Sequence, residues 1–304
     1  MIRFAVITDS QYGDLDDAIG RSYRQSISKL LLAMGEIAAE KPMFTLQLGD
    51  ASQENWSNHL AVKELFQLGE KSGITWRHAL GNHDFLVPDQ YKPQLYSDFG
   101  LNSDGYYDFV VEDPEDATNV WRFVVLNGNE ISVYAAQNDE QRKLANEERE
   151  RWKLADGSLP AAWNGSVSSK QLKWLESVLQ KATEQKEKVV VCSHFPLFAK
   201  SKSMTGKQTK AASLFDLDVY YFSLGISTWN GKEVLDALDK YDCVKGYFAG
   251  HLHEGSYGVR KNVAHVTFKG IVETTPNAYA FVTLTPDSII VDGREAQQSY
   301  KHTF

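Results

Sequence analysis

Ile2-Arg3-Phe4-Ala5-Val6-Ile7-Thr8-Asp9-Ser10-Gln11 begins as an apolar run and ends on two residues able to ligate a metal. The same form recurs four times. Met43–Leu48 leads into Gly49-Asp50, and Ile74–Leu80 into Gly81-Asn82-His83-Asp84. Lys188–Cys192 leads into Ser193-His194, and Val244–Ala249 into Gly250-His251-Leu252-His253. Runs this rich in Val, Ile and Phe read as buried strands. A parallel sheet delivers the ends of its strands to one edge, and chemistry collects there. The pattern predicts that Asp9, Gln11, Asp50, Asn82, His194, His251 and His253 meet in one place. Oxygen donors mixed with imidazole suit a pair of divalent cations.

Between these runs the first third of the chain alternates strand with helix. Ile27, Leu30, Leu31, Met34, Ile37 and Ala38 fall on one helical stripe, and a second helix runs through Leu60 and Leu65. Strand–helix–strand repetition implies right-handed crossovers and an α/β fold. Trp121–Leu126 reads as a further strand. Gln137–Leu154 is highly charged and lacks Gly and Pro, which predicts an exposed helix in an insertion over 137–165. Ser168 or Ser169 is placed to cap a helix buried through Leu172, Trp174, Leu175, Val178 and Leu179. Lys200–Ala212 is rich in Ser, Lys and Thr and reads as a loop. Beyond His253 come four short strands, Tyr257–Val259, Val263–Lys269, Ala278–Leu284 and Ser288–Asp292, which predict a meander.

At 304 residues the chain can build one large domain, 1–304, with a full core. A net charge of −8 with no basic tract argues against a nucleic-acid polymer as partner. The two cysteines, Cys192 and Cys243, lie in apolar runs and read as buried thiols, which fits a reducing compartment and a cytoplasmic location. No stretch has the basic start and cleavage site of a signal peptide, and none approaches ~18 apolar residues, so no membrane partner is expected. The sequence leaves the oligomeric state open.

Taken singly, the metal strings are ordinary. Gly-Asp after a strand is usually a turn, and a lone histidine is usually structural. Two imidazoles around one residue, as in His251 and His253, are more specific. Five such strings in one chain order, each at a strand end, are more specific still. That order resembles the calcineurin-like metallophosphoesterase superfamily, which usually opens with Asp-x-His. Gln11 in that place is similar to one branch, the manganese-dependent ADP-ribose/CDP-alcohol diphosphatases. Tyr23-Arg24, Trp163-Asn164-Gly165, Gln171-Leu172 with Trp174-Leu175, Trp229-Asn230 and Gly270-Ile271-Val272-Glu273-Thr274 agree with the branch as well. Gln53 departs from the family, which often carries an acidic residue there.

The resemblance implies a sandwich of two mixed β-sheets flanked by helices. It implies one cation on Asp9, Gln11, Asp50 and His253, and a second on Asp50, Asn82, His194 and His251, bridged by Asp50. A shared carboxylate can hold cations ~3.5–4 Å apart, close enough to share a hydroxide that attacks phosphorus in line. Mn²⁺ is favoured, with Fe²⁺ or Zn²⁺ as alternatives. No tyrosine closely follows Asp50, which argues against the iron site of purple acid phosphatases. His83 takes the role of a catalytic histidine over the scissile phosphate, with Asp84 either orienting it or packing against the turn. The implied reaction is hydrolysis of the phosphoanhydride of a small nucleotide derivative such as ADP-ribose or a CDP-alcohol. The alternatives are a cyclic-nucleotide or general phosphodiesterase on the same site, and a non-catalytic binding module on the same scaffold. The intact ligand set and His83 weigh against the last. For base or phosphate binding the candidates are Tyr12, Phe195, Trp229 and Arg24, with Phe85 and Arg21 beside them. Asp14, Asp16 and Asp17 form an acidic loop that could face a cationic or hydroxylated headgroup, though a solvated turn is its simpler reading.

Overall fold

A computed structural model describes residues 1–153, 157–197, 226–273 and 275–304. The expected loop at 200–212 and the end of the 137–154 helix lie outside them. Two six-stranded sheets make the framework. The first contains β1 (Ile2–Ile7), β2 (Thr45–Leu48), β3 (Trp76–Ala79), β12 (Ala278–Leu284), β13 (Ser288–Glu295) and β14 (Tyr300–Thr303), in the order β14-β13-β12-β1-β2-β3. The second contains β4 (Tyr107–Asp113), β5 (Asp116–Val125), β8 (Lys188–Cys192), β9 (Val244–Ala249), β10 (Ser256–Arg260) and β11 (Val263–Thr267), in the order β10-β11-β9-β8-β5-β4. Both are mixed, as expected for this α/β sandwich. β6 (Ile131–Ser132) and β7 (Gly165–Ser166) form a separate small pair.

The inner faces of the sheets lock together through alternate residues. Phe4, Val6, Leu46 and Leu48 of one sheet meet Trp121, Phe123, Val190 and Phe248 of the other. Phe4 and Phe123 sit edge to face at 5.2 Å. Burying side chains of this size contributes about 1.5–3 kcal/mol each. The outer face of the first sheet is covered by α1 (Ser26–Glu40) and α2 (Trp56–Lys71), which bury Leu30, Met34, Ile37, Val62 and Phe66 against Ala5, Ile7 and Phe281. The second sheet is covered by α5 (Ser169–Glu184) and α6 (Gly231–Leu238). Ser168 caps α5 by accepting from the Gln171 N–H at 3.1 Å.

Two expectations change. The strands after His253 are not one meander: β10 and β11 extend the second sheet, with β11 parallel to β9, while β12 inserts beside β1 in the first. The 137–165 insertion is only partly helical. Its helix, α4, spans Asp139–Arg151 and buries only Ala145, so it is exposed as expected, but the segment ends by entering β7. A short α3 (Lys92–Asp98) follows the β3 loop.

A candidate dinuclear metal centre

All seven predicted ligands meet at one edge of the sandwich. β1, β2 and β3 run parallel, and so do β8 and β9, so their carboxyl ends emerge side by side from the two sheets. The edge is thus a seam between two sheets rather than the rim of one. At these strand ends the chain turns sharply. Asp9, Gln11, Asp50 and His251 adopt φ of 51°, 39°, 53° and 67°. Left-handed backbone at non-glycine residues costs of order 1–3 kcal/mol each and clusters at functional sites. The glycines of the motifs answer to contact. A Cβ at Gly81 would stand 2.1 Å from Asp50 Oδ1, and one at Gly250 would stand 2.5 Å from Asp9 Oδ2.

The ligand atoms form two groups that share Asp50. In one, Asp50 joins Asp9 and His253; in the other, it joins His194 and His251; within each group the atoms lie within 4.8 Å of one another. His253 Nε2 is 3.1 Å from Asp9 Oδ1, and the Gln11 amide lies 3.3 Å from that same nitrogen. His194 Nε2 is 3.1 Å from both Asn82 Oδ1 and His251 Nδ1. Asp50 Oδ2 faces both groups, 3.2 Å from His194 Nε2 and 3.0 Å from the Gln11 amide. Asp50 Oδ1 is held instead by the His83 backbone N–H at 2.7 Å.

Neighbouring atoms aim these donors. His194 Nδ1–H donates to Leu48 O at 2.8 Å, which leaves Nε2 as the free ligand atom. Asp9 Oδ2 accepts from Thr8 Oγ1 at 2.5 Å and from the His251 N–H at 2.9 Å, which turns Oδ1 inward. The residues fit a pair of divalent cations. Gln11 is fully buried with its Nε2 toward Asp50 and His253 and no partner for Oε1. Turning the amide over would present a hard oxygen, which suits Mn²⁺, in place of the NH₂.

Charge in the polypeptide alone follows the same plan. Burial opposes ionisation of Asp50, but His194 and His83 outweigh it and hold the carboxyl below the usual range. Burial lowers the pKa of His194 and of His253, but Asp50 and Asp9 prevail and push each up to about 9. His251, desolvated and beside His194, falls to about 3. A raised histidine stabilises the metal-free fold below its ordinary pKa, and that stabilisation is lost as pH rises through about 9. Cations require the neutral imidazoles. Metal uptake at pH 7 should therefore release protons from His194 and His253, and affinity should rise with pH. Calorimetry in buffers of different ionisation enthalpy counts those protons; a count of zero contradicts the assignment.

Asp84 requires a correction. It does not orient His83. Its Oδ2 accepts from the backbone N–H groups of Asp50 and Gly81, both at 2.9 Å, and its Oδ1 from those of Ala51 at 2.8 Å and Ser52 at 3.2 Å. The buried carboxylate pins the β2 and β3 loops together and so fixes Asp50 and Asn82. Asp84→Asn must turn an NH₂ toward two N–H donors whichever way the amide lies. We expect a loss of about 2–4 kcal/mol and reduced metal content, read by thermal unfolding and metal analysis. Unchanged values would remove Asp84 from this role.

The proposed substrate contacts fare unevenly. Phe195 is fully buried and packs edge-on beneath His194 and His251, with centroids at 5.1 and 4.9 Å, so it supports ligands instead of offering a face to a base. Trp229 is buried and donates through Nε1–H to Ala161 O. Phe85 is buried as well. Tyr12 is half-buried beside Ser52. Arg24 pairs with Asp14 and Asp16 on the surface, whereas Arg21 reaches Glu273 next to His253. Glu273 stood in a string singled out by the sequence, but nothing local to it signalled its neighbour.

The model of the calcineurin-like phosphoesterase family matches residues 2–255. The chain belongs to that family, which makes it a metal-dependent phosphohydrolase. It is similar to proteins named manganese-dependent ADP-ribose/CDP-alcohol diphosphatase. The one from Xenopus laevis is 29% identical, with 96% of this chain and 87% of that protein covered. The one from Arabidopsis thaliana is 29% identical, with 98% and 96% covered. Among solved structures, a dimetal phosphatase from Danio rerio superposes with a TM-score of 0.76 at 23% identity, covering 99% of this chain and 98% of that one. GAP50, the anchor in the inner membrane complex of Plasmodium, shares the fold at a TM-score of 0.59 and 14% identity, covering 99% and 88%. The fold alone therefore does not assign a role. Among the described residues, no helix is long and apolar enough to cross a membrane.

Proposed function

We propose that the chain hydrolyses the phosphoanhydride bond of a small nucleotide derivative, ADP-ribose or a CDP-alcohol, with Mn²⁺ as its cofactor. The observation that carries this is the pair of ligand groups meeting on Asp50 Oδ2, with an unpartnered Gln11 amide oxygen where relatives of the superfamily usually have imidazole. Asp9, Gln11, Asp50 and His253 would hold one cation, and Asp50, Asn82, His194 and His251 the other. Bound there, the pair supplies charge neutralisation at the phosphoryl oxygens and acidifies water. The names of the similar proteins support the substrate class and the metal.

The remaining steps belong to this chain's own residues. His83 projects at the mouth of the site, 18% exposed, with Nε2 3.9 Å from Asp50 Oδ2. Burial lowers its pKa more than Asp50 raises it, and a ring N–H at this position is placed to donate to phosphoryl charge. The leaving group is itself a phosphate monoester and departs without a proton. Tyr12 is the half-buried one of the four aromatic candidates and serves as the stacking surface. Both sheets contribute ligands, so residues 1–304 work as one domain. The free cysteines, Cys192 and Cys243, support a cytoplasmic setting.

A panel of ADP-ribose, CDP-choline, CDP-glycerol, cyclic AMP and nitrophenyl phosphates, each with Mn²⁺, Mg²⁺ and Zn²⁺, tests the proposal. It predicts fastest turnover of the first three with Mn²⁺, yielding AMP or CMP. Preferential cleavage of cyclic AMP or nitrophenyl esters would favour a phosphodiesterase, and no turnover at all a binding module.

Gln11 should set the metal preference. Its amide is a hard, neutral ligand, while imidazole is softer and suits Zn²⁺ or Fe²⁺. Gln11→His, compared with wild type across a metal series loaded from metal-free protein, is expected to shift the activity optimum away from Mn²⁺. If the profile does not move, Gln11 is not the determinant.

A further inference from the structure

The segment Gly270–Glu273 has no part in the ligand set, yet it is laid directly against it. The Ile271 N–H donates to Thr8 O at 3.2 Å and the Val272 N–H to Asp9 O at 3.0 Å. The Gly270 N–H donates to His253 O at 3.1 Å. Lys29 Nζ secures the segment from α1 by donating to Ile271 O at 2.7 Å. This lattice of backbone bonds places one side chain at the site. Glu273 Oε1 stands 2.9 Å from His253 Nδ1 and 3.1 Å from Arg21 Nε.

From this geometry we infer that Glu273 is a positioning residue for the Asp9–Gln11–His253 half of the metal centre, holding His253 so that Nε2 faces the cation. The inference rests on the two-cation reading above. A histidine has two nitrogens, and the proton must sit on the one away from the metal. His194 solves this with a backbone carbonyl hydrogen-bonded to Nδ1; at His253 a carboxylate oxygen stands 2.9 Å from Nδ1 as an ion-pair contact. A carboxylate partner also raises the basicity of the imidazole, so the two halves of the centre are built to different strengths. Arg21 balances the Glu273 charge and keeps the carboxylate from drawing the cation off its ligands. Because His253 is the one assigned ligand that Glu273 touches among the described residues, its loss falls on one cation and spares the other.

The test is Mn²⁺ titration of metal-free protein, followed by calorimetry and by the spin signal of free Mn²⁺, for wild type, Glu273→Gln and Glu273→Ala. Wild type should take up two cations. Glu273→Ala should weaken one binding step by about 10–100-fold and leave the other unchanged. Glu273→Gln keeps an acceptor oxygen without the charge and should fall between. The thermal midpoint of the metal-free variants should fall only slightly, since Glu273 is about one-third exposed and its ion pairs are partly screened. Variants that bind both cations as tightly as wild type, or lose both steps equally together with stability, overturn the inference while leaving the two-cation reading intact. A wild type that binds fewer than two cations overturns both.

Discussion

Asp50→Ala will strip the protein of both cations, not one. Asp50 Oδ2 belongs to both ligand groups, and its loss removes a ligand from each cation and the sole carboxylate from the Asn82–His194–His251 half. The carboxylate also lies between the two positive charges and lowers their repulsion, a screening that no neighbouring side chain replaces. Its second oxygen anchors the His83 backbone N–H, so the variant loosens the catalytic loop as well. Turnover should fall to background with every substrate and metal. Metal analysis after loading and desalting separates the cases: near-normal content of two cations would rule out the bridge, and retention of one would mean that the two halves are independent.

His83→Ala will behave differently, keeping its metal and losing rate. The ring lies at the mouth of the site and outside both ligand groups, and its Nδ1 has no hydrogen-bond partner. Removing a positioned proton or charge donor typically costs ~10²–10⁴-fold in turnover. The loss should be smaller on a phosphoanhydride, whose leaving group is a stable phosphate monoester, than on an alkyl phosphodiester, whose alkoxide needs a proton. Single-turnover rates for ADP-ribose and an alkyl ester in wild type and variant give the two ratios. Equal ratios would mean that His83 serves the phosphoryl charge alone and protonates neither leaving group.

The ligands were legible because each closes a run of buried strand, and strands buried on both faces are continuous in Val, Ile and Phe. What the sequence concealed is non-local or chemically silent. β4 and β14 were missed because edge strands mix charged residues into the pattern, as in Asp108, Glu112 and Lys301. The division of the last strands between two sheets was hidden because β12 pairs with β1 across nearly the whole chain, and no local pattern encodes that register. The role of Asp84 stayed open between two readings because its partners are backbone N–H groups, which leave no mark on residue type. Phe195 and Trp229 stood as candidates because an aromatic that packs beneath a ligand and one that stacks on a base look alike in sequence. Glu273 meets His253 only after the chain has travelled out through β10 and back through β11.

Anomalous diffraction at the manganese edge, on crystals of the Mn²⁺-loaded protein, tests the shared-carboxylate centre most directly. Two peaks about 3.5–4 Å apart, one beside Asp9, Gln11 and His253, the other beside Asn82, His194 and His251, and Asp50 between them, is the predicted result. A single peak, or two that do not share Asp50, would contradict the account.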